Sequence, residues 1–284
     1  MPGTLFVVAT PIGNLEDLTF RALRILREVH LIAAEDTRRT SKLLAHYDIQ
    51  KPLVSLHEHN ESRETPQLVE RLCRGEDIAL VSDAGTPGIS DPGQHLVAGA
   101  RTAGVAVVPI PGPSAITAIL SASGLPGTKF TFMGFPPSSG QEREDWLSAI
   151  KDEVGIVVFF ESPHRVGRTM NDVATLSVDR PIVIGRELTK IHESLVLWDK
   201  NEALPPAGDA KGEFVVVIGQ KSVAHKDGVD GTEADRLFGL ITEHVTTDED
   251  AALRGVASLL QRPVKRVRSA IKKARILKRR GEEA

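Results

Sequence analysis

The chain has 284 residues and a net charge of −3, with 41% hydrophobic and 26% charged residues. This composition is typical of a globular protein and excludes a disordered or fibrous one. No apolar run approaches the ~20 residues that cross a bilayer, and the N-terminus lacks the basic segment of a signal peptide, so we expect a cytoplasmic protein without a membrane anchor. The single cysteine, Cys73, cannot form an internal disulfide, which suits a reducing compartment, and its helical surroundings predict that it is buried.

The first part of the chain alternates short apolar segments with helical patterns. The predicted strands are TLFVVAT, HLIAAED, PLVSLH, DIALVSD and VAVVPIP. The helical patterns between them lie near residues 18–28, 37–47, 61–74 and 92–103. Continuous apolar strands separated by amphipathic helices indicate a mostly parallel sheet covered on both faces. We therefore predict an N-terminal α/β domain over residues 1–112.

A second α/β domain is predicted over residues 113–221. Its start is marked by PGPSAITAILSASGLPG, in which an apolar helix lies between two Pro/Gly turns. Helices are predicted near 142–152 and 163–176, and the strands are FTFMGF, IVVFFES, PIVIGREL, ESLVLWD and EFVVVIG. Because the last three strands have no long helices between them, we expect part of this sheet to be antiparallel.

A linker over residues 221–231 is predicted to lead into a small all-helical domain over residues 230–284. Three helical patterns there are compatible with a helix–turn–helix. Residues 262–280 hold ten Lys or Arg and no acid. Since the net charge of the whole chain is −3, the net charge of the remaining residues is −13. A solvated face is the ordinary explanation of a charge run, but an unbalanced run of this length favours contacts with nucleic-acid phosphates. The candidates on this helix are Lys265, Arg266, Lys272 and Lys273.

Polar or Gly/Pro-rich loops follow all five strands of the first sheet. They are TPIGNL (10–15), AEDTR (34–38), LHEHN (56–60), VSDAGTPGISDPG (81–93) and PGPSA (111–115). Since ligands of doubly wound sheets bind beyond the carboxyl ends of the strands, the five loops predict one shared site.

The loops carry no phosphate-binding signature. The chain has no G-x-G, and GISDPGQH lacks the Lys and Ser/Thr of a P-loop, which favours a small ligand held by backbone and hydroxyl groups. Within the fourth loop, Asp91 before Pro92 has the pattern of a helix N-cap and first turn, which is an alternative to ligand contact.

Eight short motifs together carry a family resemblance. TPIGNL, AEDTR, SDAGTPGISDPG, PGPSA, MGFPP, ESPHR, RELTK and KGE occur in this order over residues 4–219. The set resembles the S-adenosylmethionine-dependent methyltransferases of the tetrapyrrole-methylase fold. More narrowly, it resembles the branch that methylates a ribose 2′-hydroxyl of a decoding-centre cytidine in 16S rRNA of the small ribosomal subunit.

The resemblance implies a fold and a cofactor. The fold has two α/β domains, the first with a mostly parallel sheet and the second with a mixed sheet. S-adenosylmethionine binds between them, and the protein is a homodimer. The usual Gly-Asp-Pro loop of the wider family is Gly85-Thr86-Pro87 here, a departure shared with the RNA-methylating branch that counts against a porphyrin-type substrate.

Carried over motif by motif, the resemblance also implies cofactor-binding residues. They are Pro11, Asp83, Ala84, Gly85, Thr86, Ile89, Ser114 and Ala115, together with Leu188 and Thr189 from the second domain. Whether Asp83 or Thr86 replaces the acid of the usual loop stays open.

Transfer to a ribose hydroxyl also needs alignment and a proton acceptor. A sulfonium donor is already activated, so the protein mainly aligns the nucleophile, and a positioned base adds ~10²–10⁴-fold. The candidate bases are Glu35, Asp36, His57, Glu161 and His164, and the sequence does not choose among them.

Metal ions and RNA phosphates are two further ligand types for these loops. On a strand, His57 and His59 would share a face and permit metal ligation, but without a clear third ligand we expect no metal. The candidates for holding RNA phosphates are Arg38, Arg39, Arg165 and Arg186, with ordinary ion pairing as the alternative.

Two rival functions are compatible with the chain. One is an S-adenosylmethionine-dependent methylase of a tetrapyrrole or another small or protein substrate. The basic helix and the arginines of AEDTR and ESPHR argue against it, because such substrates need no polyanion surface. The other is a nucleic-acid-binding regulator that senses S-adenosylmethionine without turning it over.

Overall fold

The computed structural model describes residues 1–176, 180–199, 212–221, 231–260 and 263–282. Contacts between residues divide the chain into two compact units, Met1–Lys221 and Ser222–Ala284. Most of the linker predicted over residues 221–231 lies outside the described residues, as does Lys211 of the KGE motif. The predicted boundary between residues 112 and 113 stays a prediction.

The first sheet of the larger unit is wholly parallel, as predicted. Its strands are β1 (Thr4–Val8), β2 (Leu31–Ala34), β3 (Leu53–Ser55), β4 (Ile78–Val81) and β5 (Ala106–Ile110), in the order β3-β2-β4-β1-β5. The helices are α1 (Phe20–Glu28), α2 (Thr37–His46), α3 (Glu61–Cys73) and α4 (Gln94–Thr102). Side chains of α1 and α2 pack in one apolar cluster and those of α3 and α4 in another, and β4 contributes alternate residues to each. Both faces of the sheet are therefore covered.

The second sheet is mixed, which confirms the expectation of antiparallel strands. Its strands are β6 (Phe130–Phe132), β7 (Ile156–Glu161), β8 (Ile182–Arg186), β9 (Ser194–Trp198) and β10 (Phe214–Ile218), in the order β6-β7-β10-β8-β9. Only β6 and β7 are paired in parallel. Helices α6 (Gly140–Asp152) and α7 (Val166–Thr175) pack on one face, and α5 (Ala115–Ala122) packs on the other.

The smaller unit contains the three predicted helices, α8 (Gly231–His244), α9 (Glu249–Leu259) and α10 (Val264–Glu282). Phe238, Leu253 and Ile271 contribute to its core. The basic candidates on α10 are exposed. Among the described residues, no helix is long and apolar enough to cross a membrane.

The prediction that Cys73 is buried is wrong, because its side chain is exposed at the end of α3. The buried face of this helix carries Leu68 and Leu72. Cys73 lies one residue beyond Leu72, which turns its side chain by roughly 100° away from the core.

Of the two alternatives for Asp91, helix capping is wrong. Helix α4 begins at Gln94, and its N-cap position is Gly93 with a φ of 121°. The buried carboxylate of Glu61 caps the helix instead, because Glu61 Oε1 accepts hydrogen bonds from the backbone N–H groups of Gly93 at 3.0 Å and His95 at 2.8 Å. A carboxylate at a helix N-terminus is stabilised by the helix dipole. Asp91 is therefore free of the capping role that its sequence context predicts.

Candidate functional site

The loops at the carboxyl ends of β1, β4 and β5 are held together by direct hydrogen bonds. Thr10 and Gly85 exchange backbone hydrogen bonds of 2.8 and 2.9 Å, and the buried hydroxyl of Thr10 donates to the Ser82 carbonyl at 3.1 Å. The hydroxyl of Thr86 donates to the carbonyl of Pro113 at 3.3 Å. Gly85 has a φ of 79°, a left-handed conformation that glycine adopts without strain. These bonds fix the shape of the fourth loop.

One cavity of about 360 Å³ lies within the larger unit, between loops of the two sheets. From the first sheet it is lined by the loops that follow β1, β2, β4 and β5. From the second sheet it is lined by the loops that follow β6 and β7 and by the start of β10, which is antiparallel to β7. The candidate residues that the cavity brings together are Glu35, Arg39, Asp83, Ala84, Gly85, Thr86, Ile89, Ser114, Ala115 and Glu161.

Other candidates lie outside this lining. They are Pro11, Asp36, Arg38, His57, His164, Arg165, Arg186, Leu188 and Thr189. Leu188 is buried and packs in the core with Ile116 and Ile119. Thr189 lines a neighbouring cavity of about 500 Å³ that also touches Ser114.

The RELTK segment lies tightly against the TPIGNL loop. A Cβ atom at Gly13 would lie 2.4 Å from the Lys190 side chain and 2.7 Å from the Thr189 hydroxyl, so only glycine fits there. Glu187 and Thr189 have φ angles of 50° and 68°. Left-handed non-glycine residues are strained, and such strain clusters at functional sites. This contact brings the two sheets together beside Ser114.

Glu35, Asp83 and Asp91 are the carboxylates that the first sheet's loops contribute to the cavity. Glu35 Oε2 accepts a hydrogen bond from the Asp83 backbone N–H at 3.1 Å, and Asp83 forms an ion pair with Arg39 at 3.3 Å. Burial raises the pKa of Glu35. Burial also raises the pKa of Asp91 to about 6, with a hydrogen bond from Ser82 opposing the shift and the charges of Glu35 and Asp83 adding to it.

Asp36 and Arg38 form a local pair at the start of α2. The carboxylate of Asp36 accepts hydrogen bonds from the backbone N–H of Arg38 at 2.8 Å and from its guanidinium at 3.0 and 2.7 Å. These bonds hold the pKa of Asp36 well below its usual range. A carboxylate with a lowered pKa is a weak proton acceptor, so this geometry favours helix capping over catalysis.

Glu161 lines the cavity, but both of its carboxylate oxygens are engaged. Glu161 is 1% exposed. Its Oε1 accepts from the Ser162 backbone N–H at 2.7 Å and from Arg165 Nε at 2.9 Å, and its Oε2 accepts from the Thr169 hydroxyl at 2.7 Å. Arg165 forms an ion pair with Glu161 at 2.8 Å, and His164 is exposed. Glu161 therefore organises the start of α7.

The two histidines of LHEHN are not on a strand, because β3 ends at Ser55. The backbone N–H of His57 donates to Asn60 Oδ1 at 2.8 Å, and the rings of His57 and His59 are 5.9 Å apart. Within the described parts of the chain, no group of three or more His, Cys, Asp or Glu side chains could hold a metal ion.

Asp91 and Phe135 line the cavity but are not among the site residues that the sequence implies. The sequence leaves Asp91 open between a helix cap and ligand contact, because the carboxylate that caps the helix, on Glu61, is distant in sequence. Phe135 belongs to the MGFPP motif, but no rule of spacing distinguishes an aromatic side chain in a cavity from one in the core.

Comparison with known proteins relates the chain to methyltransferases. The family model of the tetrapyrrole (corrin/porphyrin) methylases matches residues 4–203. The chain is 46% identical over 257 residues to the ribosomal RNA small subunit methyltransferase I of Xylella fastidiosa (strain Temecula1), which covers 89% of this chain and 93% of that protein. It is 44% identical over 256 residues to the protein of the same name from Pseudomonas aeruginosa, with coverage of 88% and 91%.

Two solved structures share the fold. The methyltransferase CobJ has a TM-score of 0.57 at 19% identity and covers 77% of this chain and 94% of its own. Uroporphyrin-III C-methyltransferase of Thermus thermophilus, complexed with S-adenosyl homocysteine, has a TM-score of 0.51 at 19% identity, with coverage of 76% and 97%. At 19% identity, these two similarities show a shared fold.

Proposed function

The chain belongs to the tetrapyrrole methylase family, and on that premise we propose that it is an S-adenosylmethionine-dependent methyltransferase of ribosomal RNA. Its acceptor is the ribose 2′-hydroxyl of a decoding-centre cytidine in the 16S rRNA of the small ribosomal subunit. The observation that carries the proposal is 46% identity to a ribosomal RNA small subunit methyltransferase I along 93% of that protein's length. The cytoplasmic location and the homodimer stay predictions.

The cavity fits the proposed methyl donor. S-adenosylmethionine supplies an activated methyl group on a sulfonium, and it carries positive charge together with polar groups. The cavity offers carboxylates for the positive charge, hydroxyls on Thr86 and Ser114, and a backbone at Gly85 that a ligand can approach closely. We assign the donor to this cavity, with Thr189 contributing from the adjoining one.

Asp91 is the proton acceptor in this proposal. A general base works best when its pKa lies near the working pH. Asp91 lines the cavity, is released from helix capping by Glu61, and has its pKa raised to about 6 by burial. It is ionised at neutral pH and basic enough to take the proton of a ribose hydroxyl as the C–S bond breaks and the C–O bond forms. Glu35 supports it by adding negative charge.

Exposed basic side chains hold the RNA. Arg39 lies at the cavity with 66% of its side chain exposed, and Lys265, Lys272 and Lys273 are exposed on α10 of the smaller unit. Such contacts to phosphates strengthen binding for any sequence and weaken with salt, because each contact releases counterions.

Removing two of these charges is expected to weaken RNA binding and its salt dependence. For Lys272→Gln/Lys273→Gln, the slope of log K against log salt falls by about 1.4–1.8, since each phosphate contact contributes about 0.7–0.9. Filter binding of 16S rRNA between low and moderate salt measures this. Lys129→Gln/Lys151→Gln, on exposed side chains of the other unit, is the control with the same charge change. Equal slopes in the two variants would contradict the assignment.

Label transfer tests the function itself. Unmethylated small subunits and free 16S rRNA are each incubated with S-adenosylmethionine labelled in its methyl group, and the label is mapped by nuclease digestion. Label on one ribose of the decoding centre supports the proposal and identifies the form of substrate. Tight donor binding without transfer to either RNA overturns it in favour of a sensor or a small-substrate methylase.

A further inference from the structure

Two large apolar side chains in the cavity lining remain half exposed. Ile89 is 46% exposed and Phe135 is 52% exposed, whereas Ile116 and Phe214 in the same lining are 7% and 3% exposed. Leaving these apolar side chains in water loses the stabilisation that their burial would give. Ligand pockets are lined mainly by apolar and aromatic side chains, so these two exposed side chains are available to contact a ligand.

The Phe135 ring is supported from behind by other aromatic rings. Its centroid lies 5.5 Å from that of Phe160 at an interplanar angle of 57°, and Phe160 in turn contacts the Phe132 ring at 4.9 Å. The Gly134 carbonyl accepts a hydrogen bond of 2.9 Å from the Phe160 backbone N–H, which fixes the backbone next to Phe135. Phe135 is thus held in place while half of its surface faces solvent.

The loop that carries Ile89 adjoins the loop that carries Phe135. A Cβ atom at Gly134 would lie 3.8 Å from Ser90 Oγ. Ser90 has a φ of 62°, a left-handed conformation that is strained for a residue other than glycine. One loop comes from each sheet, and each contributes a half-exposed apolar side chain to the cavity lining.

We infer that Phe135, with Ile89 beside it, forms a shelf on which the base of the target nucleotide stacks. The inference rests on the proposed function and adds a base-binding subsite to it. Proteins bind bases of single-stranded RNA by stacking them on aromatic side chains. The donor's adenine has the same stacking chemistry. The target base is the occupant because the shelf is open to solvent, where a polymer reaches the cavity, whereas the donor is a small molecule that the interior encloses. Stacking there orients the attached ribose toward the methyl group.

The expected effect of Phe135→Ala is a KM for the RNA about 5- to 140-fold higher, since one base–aromatic stack contributes about 1–3 kcal/mol and 1.4 kcal/mol is tenfold. The dissociation constant for S-adenosylmethionine is unchanged. Phe135→Trp restores the KM, and Phe135→Leu does not, because it keeps an apolar side chain without an aromatic face. Phe130→Ala is the matched control, since Phe130 is 50% exposed on β6, the strand that leads into the Phe135 loop, and lies outside the cavity lining.

A cycle with modified RNA separates stacking from a structural effect. An RNA with an abasic ribose at the mapped nucleotide is expected to raise the KM of the wild type but to leave Phe135→Ala unchanged, because the stack is already absent. If removal of the base and Phe135→Ala each raise the KM by the same factor whether or not the other change is present, the shelf is overturned. A loss of donor affinity in Phe135→Ala would also overturn it and assign the ring to adenine. If the wild type transfers no label to RNA, the proposed function is wrong. If the wild type transfers label and Phe135→Ala has the same KM for the RNA, only the proposed shelf is wrong.

Discussion

Asp91→Asn is expected to lower kcat for methyl transfer by about 10²–10⁴-fold, the usual contribution of a positioned general base. The amide has the shape of the carboxylate and can still accept a hydrogen bond from Ser82, but it cannot take a proton. Donor affinity should change little. Single-turnover label transfer at saturating donor and RNA measures the effect, and Glu58→Gln, an exposed acid in the loop after β3, is the control.

The pH dependence of the rate identifies the base. Because burial raises the pKa of Asp91 to about 6, the wild-type rate should rise as the pH increases through 6 and level off above it. Glu35→Gln removes a negative charge that helps to raise the pKa of Asp91, so the rise should move to lower pH. A profile that is unchanged in Glu35→Gln, or an Asp91→Asn variant with near wild-type kcat, would refute the role of Asp91.

The stability of the fold provides an independent test of the role of Asp91. An acid whose pKa is raised in the folded state binds more protons folded than unfolded, so its ionisation destabilises the fold as the pH rises from about 4 to about 6. Asp91→Asn cannot ionise and should therefore raise the melting temperature at neutral pH while it lowers kcat. A structural role for Asp91 would instead lower both stability and activity.

Arg180→Met is expected to lower the free energy of unfolding by about 3–5 kcal/mol, a large part of the usual 5–15 kcal/mol. The Arg180 guanidinium is buried, and it donates to the carbonyls of Gly155 and Gly219 and, at 3.2 and 3.0 Å, to those of Ile150 and Glu153. It thereby closes the C-terminus of α6 and joins it to the ends of β7 and β10. Methionine fills the volume but leaves four carbonyl groups without this donor, and partial access of water keeps the cost below the full sum.

Urea unfolding measures this loss as a lower midpoint with an unchanged slope. Arg180→Lys should fall between wild type and Arg180→Met, because a single ammonium reaches fewer of the four carbonyls. Arg101→Met, on the exposed side of α4, is the control and should stay within about 0.5 kcal/mol. A midpoint for Arg180→Met equal to that of Arg101→Met would contradict the structural role of Arg180.

The sequence by itself determined the order and type of the elements. Apolar segments such as DIALVSD are continuous because β4 is buried on both faces, and the amphipathic helices between strands required parallel pairing. The lack of long helices among the last three strands correctly indicated antiparallel pairing. These are local properties, since periodicity and connection length depend on neighbouring residues alone. The loops of the first sheet could also be assigned to one edge, because all parallel strands end there.

The tertiary structure decided which loop residues share a cavity and what each side chain does there. Glu61, thirty residues before Asp91, caps α4 and leaves Asp91 for the cavity. Glu161 was a candidate base by position, but Arg165 and Thr169 occupy its oxygens. Phe135 and Ile89 line one cavity only because two sheets bring their loops together. Hydrogen bonding and burial depend on partners distant along the chain, so local patterns do not determine the role of a side chain.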